Sequence, residues 1–132
     1  MAKLSALKQS KEKQNEGVWV NFEGVQFKLA RLGNDNYKAM IAAESAANRE
    51  RKERGEPVRD ADQFWVELLA STVLVGWRDL EDDNGSPLPY SADEAAKILQ
   101  DERFADVREF VEREAASRRN YRDAADASAE KN

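Results

Sequence analysis

Between Val66 and Leu99 the chain reads VELLASTVLVGWRDLEDDNGSPLPYSADEAAKIL, and the order of its parts restricts the fold more than any other stretch. Phe64, Trp65, Leu68, Leu69, Thr72, Val73 and Val75 recur at helical spacing and form the densest apolar face in the sequence. Asp60 supplies an N-cap with Gln63 at the reciprocal capping-box position, so a helix is expected from there through Val75, stopping at Gly76. Each large side chain it buries contributes about 1.5–3 kcal/mol, which makes this helix the expected centre of the core. Asp79, Glu81, Asp82 and Asp83 follow, then Asn84–Gly85 offers a tight turn. Pro87 and Pro89 stiffen an extended segment that delivers Leu88 and Tyr90 to a neighbouring surface. Ser91 and Glu94 form a second capping box, opening a short helix whose inner face is Ala95, Ile98 and Leu99.

Upstream the period changes. Val18, Val20 and Phe22 alternate with polar or amphipathic neighbours, Glu23–Gly24 offers a turn, and Val25, Phe27 and Leu29 alternate again, which predicts a β-hairpin. A lone hairpin is marginal in water, so its apolar face must lie on helices or its edge must pair with another sheet. Asn34 or Asp35 caps a helix over about 36–54 with Tyr37, Met40, Ile41 and alanines 42, 43, 46 and 47 as a weak stripe. Its second half is a solvated mixture of Glu and Arg/Lys suited to i,i+4 pairs, ended by Gly55 and Pro57. A last helix opens at Asp101 and carries Phe104, Val107, Phe110 and Val111 on one face. The expected class is α+β, mainly α: an N-terminal β-hairpin on a bundle of about four helices, with flexible termini. Residues 1–16 read as a basic arm with four lysines against two glutamates, residues 17–119 as one domain and residues 120–132 as a flexible tail.

A chain of 132 residues supports one core. It contains no cysteine and no histidine, which removes disulfides, thiol nucleophiles, thiolate zinc sites and the commonest general base. Net charge −5 disfavours nucleic acid as a partner. No apolar run approaches the roughly 18 residues of a membrane span, and the N-terminus lacks the apolar centre of a secretory signal, so a soluble intracellular protein is expected. The spacing Asp79-x-Glu81-x-Asp83 suggests a calcium loop, but that loop needs glycine at 84 and glutamate at 90, where this chain has Asn84 and Tyr90. Consecutive carboxylates on one turn also lack the asymmetry of a glycosidase pair. The expectation is a protein without catalytic residues, metal or cofactor.

The hairpin VWVNFEGVQFKLARL, the helix and turn VLVGWRDLEDDNGSPLPYSADEAAKIL and the helix RFADVREFVEREA resemble tail assembly chaperones of long-tailed bacteriophages, over roughly Gly17 to Arg119. The charged segment Arg49–Arg59 and the lysine-bearing arm depart from that pattern. The resemblance implies a protein that coats and solubilises the tape measure protein, helps recruit tail tube protein, works in the host cytoplasm and is absent from the mature virion. It also implies a frameshifted longer product, with Glu130–Lys131–Asn132 as the expected slippery site. Such a client exposes long apolar helical stripes, so a chaperone needs exposed apolar surface repeated along it. The residues expected to provide it are Trp77, Leu80, Leu88 and Tyr90, with the hairpin edge of Val18, Val20, Val25 and Phe27 for self-association into a homo-oligomer. The alternative is a structural tail or baseplate subunit, or a small helical adaptor.

Overall fold

The computed structural model describes Met1 and residues 3–123; the expected frameshift site and the tail beyond Asp123 lie outside the described residues. Strands β1 (Val18–Phe22) and β2 (Val25–Leu29) form the expected hairpin, paired from Val18 opposite Leu29 to Phe22 opposite Val25. Its turn has Glu23 at φ 52° and Gly24 at φ 86°, both positive as a two-residue type I′ turn demands. Helices follow at α2 (Asp35–Glu53) and α3 (Ala61–Thr72), then strand β3 (Leu74–Arg78), α4 (Ala92–Gln100) and α5 (Ala105–Ala116). A one-and-a-half-turn helix, α1 (Lys11–Glu16), precedes the hairpin. The α+β, mainly α class is as expected from the sequence.

The sheet has three strands where the sequence suggested two, in the order β1-β2-β3 and antiparallel throughout. The helix expected to run through Val75 ends at Thr72, and Leu74–Arg78 pairs with β2 instead. The cause is tertiary. Asn34 Nδ2 donates to the Thr72 carbonyl at 2.8 Å, the Ala30 amide donates to the Val73 carbonyl at 2.8 Å, and the Tyr90 hydroxyl donates to the Leu74 carbonyl at 2.7 Å. With three successive carbonyls taken, the β-branched and aromatic run TVLVGW leaves the helix for the sheet, a conformation its residue types already favour.

One face of the sheet meets the helices. Phe27, Leu29, Leu74 and Trp77 join Val66, Leu69 and Val73 from α3 and its C-cap, Ala95 and Leu99 from α4, and Phe110, Val111 and Ala115 from α5 in one cluster. Phe110 ties the layers together, with ring centroids 4.6 Å from Phe22 and 5.9 Å from Phe27. Phe104, expected in the α5 stripe, is 45% exposed because the chain makes a separate 3₁₀ turn at Glu102–Phe104 before α5 begins.

Asn34, Asp60 and Ser91 cap their helices by accepting from the amides of Tyr37, Gln63 and Glu94. The charged segment pairs differently from the expected i,i+4 pattern: Glu44 of α2 meets both Arg51, at 3.6 Å, and Arg59, at 3.0 Å, and Arg59 also reaches Glu67 of α3 at 2.6 Å. Long-range geometry wins because Arg59 lies in the connection between the two helices and can span them.

The two ends of the described chain meet. The Ser10 amide donates to the Tyr121 carbonyl at 2.7 Å, the Asp123 amide to the Lys8 carbonyl at 2.9 Å, and Ser10 caps α1. Tyr121, at the start of the expected tail, is fully buried, and its hydroxyl donates to the Leu29 carbonyl at 3.0 Å. As a single aromatic beyond the α5 stripe it carries no periodic signal. Gly17 joins α1 to β1 at φ 97°, where a Cβ would come within 3.1 Å of the Leu29 carbonyl carbon, so only glycine fits.

Two outcomes follow from these contacts. Asn34→Ala removes an N-cap acceptor and a buried donor at once, and urea unfolding should show a loss of about 2–4 kcal/mol. Asn34→Asp keeps the cap but sets a buried carboxylate oxygen against the Thr72 and Arg31 carbonyls that the amide had donated to, so at neutral pH it should be at least as destabilising as Asn34→Ala. At the α4–α5 junction, the Arg103 guanidinium and amide hold the Asp101 carboxyl at about 2, below its ordinary 3.8. A folded value below the unfolded one gives stabilisation that is complete above the unfolded value and lost as the pH falls towards 2. Asp101→Asn should therefore flatten the decline in Tm between about pH 4 and pH 2, followed by circular dichroism.

Candidate partner-binding surfaces

The acidic stretch folds on itself. Asp79 follows β3 at φ 66°, a left-handed turn that aspartate tolerates. The Leu88 amide then donates to the Leu80 carbonyl at 2.8 Å, and the Asp82 amide to the Ser86 carbonyl at 2.8 Å. The Asp82 carboxylate closes the tip by accepting from the Asn84 amide at 2.9 Å and the Ser86 amide at 3.0 Å. The stretch is thus a small self-capped hairpin, with Glu81 and Asp83 exposed. Among the described residues no group of three or more acidic side chains is placed to hold a metal ion.

This hairpin does bring Trp77, Leu80, Leu88 and Tyr90 together. Trp77 is 7% exposed, its indole N–H donates to the Leu88 carbonyl at 2.8 Å, and its ring meets Tyr90 edge-on at 4.9 Å. Burial pushes the Tyr90 hydroxyl up from its ordinary value, so it stays a neutral donor to Leu74. Leu80 and Leu88 are half-buried against the same cluster. The four residues fasten the hairpin to β3; Trp77 is buried, and Leu80, Leu88 and Tyr90 are each half-buried.

The hairpin-edge residues separate. Val18 and Val20 lie on β1, an outer strand, whereas Val25 and Phe27 lie on β2, which is the centre of the sheet, with Phe27 opposite Val20 on one side and Trp77 on the other. An edge contact is geometrically available through β1. The sheet surface facing away from the helices carries Trp19, whose ring lies 4.1 Å from the Arg78 guanidinium and 5.8 Å from the Lys28 ammonium. Such stacking holds the ring back over β2 and β3.

A surface not expected from the sequence is α2. Its 19 residues include none that is buried, and Ala39, Ile41, Ala42, Ala43 and Ala46 are exposed. The helix is anchored by its N-cap, by Tyr37 edge-on to Trp65 at 6.5 Å and by the Arg59 pairs, leaving an alanine-rich side uncovered. The weakness of the apolar stripe, all alanine apart from Tyr37, Met40 and Ile41, was the available signal.

Removing the Asp82 acceptor tests the hairpin directly. Asp82→Ala should speed amide hydrogen exchange at Asn84 and Ser86 while leaving Tm nearly unchanged, because the loop tip is exposed and the Trp77 anchor lies outside it.

Among the described residues, no helix is long and apolar enough to cross a membrane. No curated protein and no solved structure matches the chain significantly. The profile of the family described as YdaY prophage protein matches residues 32–132, from the connection after β2 onward. That span includes α2 to α5, the acidic hairpin and the Trp77–Tyr90 anchor, most of the chain and all of its central stretch. This phage-derived chain belongs to the YdaY prophage protein family.

Proposed function

We propose that the protein is a phage tail assembly chaperone that binds and solubilises the tape measure protein, helps recruit tail tube protein, and leaves before the virion is complete. The observation that carries the reading is the Val66–Leu99 stretch: its order of apolar helix, acidic turn and capped helix resembles tail assembly chaperones, and it lies wholly inside the span matched by a prophage family. The physical chemistry is compatible. A long helical client with exposed apolar stripes is kept soluble by many weak apolar contacts repeated along it, each offered by a small, acidic, charged-surface protein. The uncovered side of α2 and the half-buried Leu80 and Leu88 are surfaces of that kind. Action in the host cytoplasm and a frameshifted longer product belong to the same proposal.

The reading predicts a very long helical open reading frame directly downstream, and co-expression with its product tests it. The client should move from the pellet to the soluble fraction only when this chain is present, and the chain should be missing from purified virions. A client equally soluble alone overturns the proposal, and recovery of the chain in virions at fixed stoichiometry replaces it with a structural tail subunit.

A further inference from the structure

The outer edge of β1 is an unpaired strand without the devices that usually protect one. In a two-residue hairpin the closing pair, Phe22 and Val25, is hydrogen-bonded, so by antiparallel alternation Val20 and Val18 also bond to β2. The backbone N–H and C=O groups of Trp19 and Asn21 therefore point away from the sheet. Among the described residues no hydrogen bond from outside the hairpin reaches them. The strand, VWVNF, holds no charge and no proline, and the one register irregularity of the sheet lies between β2 and β3. At the opposite side of the sheet the Leu74 carbonyl of β3 is already taken by Tyr90, so the two edges are not equivalent. Trp19, the bulkiest residue of β1, leans inward: its ring sits under Arg78 and beside Gly76, whose missing Cβ would lie 3.9 Å from it.

We propose that β1 pairs with β1 of a second copy about a twofold axis at Val20, joining two three-stranded sheets into one of six strands. The register follows from the backbone. Trp19 and Asn21 are the two outward-bonding residues, and only a twofold centred on Val20 sets Trp19 opposite the partner's Asn21 and Asn21 opposite the partner's Trp19. Four hydrogen bonds form, and Val20 faces the partner's Val20 as a non-hydrogen-bonded pair. Val18 meets the partner's Phe22 on the helix side, so the apolar faces of both copies become continuous, while Trp19 and Asn21 remain together on the open side. The occupant is a copy of the same strand because what the edge lacks is a strand, and this strand complements itself. The inference concerns the purified chain alone and stands or falls independently of any tape measure client.

Sedimentation and light scattering on the full chain should give a mass near twice 15.0 kDa at high micromolar concentration. Asn21→Pro deletes one outward N–H without touching the β2 ladder and should weaken association at least tenfold. Since the chain has no native cysteine, Val20→Cys reports cleanly: facing non-hydrogen-bonded positions are close enough for a disulfide, so oxidation should yield a covalent dimer, whereas Lys28→Cys on the central strand should not. If Asn21→Pro fails to fold by circular dichroism, the cysteine pair decides alone. A monomer at all concentrations overturns the proposal, as does a dimer that Val20→Cys does not cross-link.

Discussion

Three consecutive carbonyls, those of Thr72, Val73 and Leu74, decide the architecture. Each is claimed by a different part of the chain: the Asn34 side chain at the head of α2, the Ala30 amide at the end of β2, and the Tyr90 hydroxyl after the acidic hairpin. Unclaimed, they would face the ordinary options of a helix end, a frayed turn or water. Claimed, they turn the densest apolar run of the sequence out of the helix and into the sheet. The exchange makes the third strand and places Trp77 opposite Phe27, at the middle of the core. The helices, the hairpin and the acidic turn all converge on this junction.

Because Asn34 contributes there while also accepting from the Tyr37 amide, one buried side chain sets both where α3 stops and where α2 starts. Coupling of that kind explains how a long helix with no buried residue keeps its place. Its N-terminus is locked by Asn34, its middle is held by Glu44 to Arg59, and Arg59 is held in turn by Glu67 of α3. Isolated exposed ion pairs contribute little; this one is shared between two acceptors and partly shielded, so it acts chiefly to orient the α2–α3 connection. The alanine side of α2 stays free because polar contacts at its ends and along one face are enough to hold it.

Much of this was legible in the sequence wherever the signal was local. The hairpin turn at Glu23–Gly24, the caps at Asp60 and Ser91, a cap for α2 at Asn34 or Asp35, and the short helix with Ala95 and Leu99 inside all follow from residue type and spacing. The β3 strand was not legible. TVLV suits a helix face and a strand equally, and what decides between them is donors 38 and 16 residues away in sequence. Tyr121 was hidden for a related reason, since a single aromatic completes the core through a contact 92 residues distant and leaves no periodic trace. The grouping of Trp77, Leu80, Leu88 and Tyr90 was foreseeable from the turn between them; the place of Trp77 opposite Phe27 was not, because that depends on β3.

The acidic hairpin shows why residue type alone misleads about chemistry. Asp79, Glu81, Asp82 and Asp83 have the look of a metal loop in one dimension, yet the fold spends Asp82 on its own amides and turns Glu81 and Asp83 to solvent. Asp79 occupies the one left-handed position at the end of β3, where its role is conformational. Charge left on the surface in this way opposes self-association at the hairpin tip and raises solubility. The uncharged strand β1 lies at the other side of the sheet. An acidic hairpin at one side of the sheet and an uncharged strand at the other would let the molecule associate through one edge without aggregating through every surface, the distribution that the proposed chaperone role calls for.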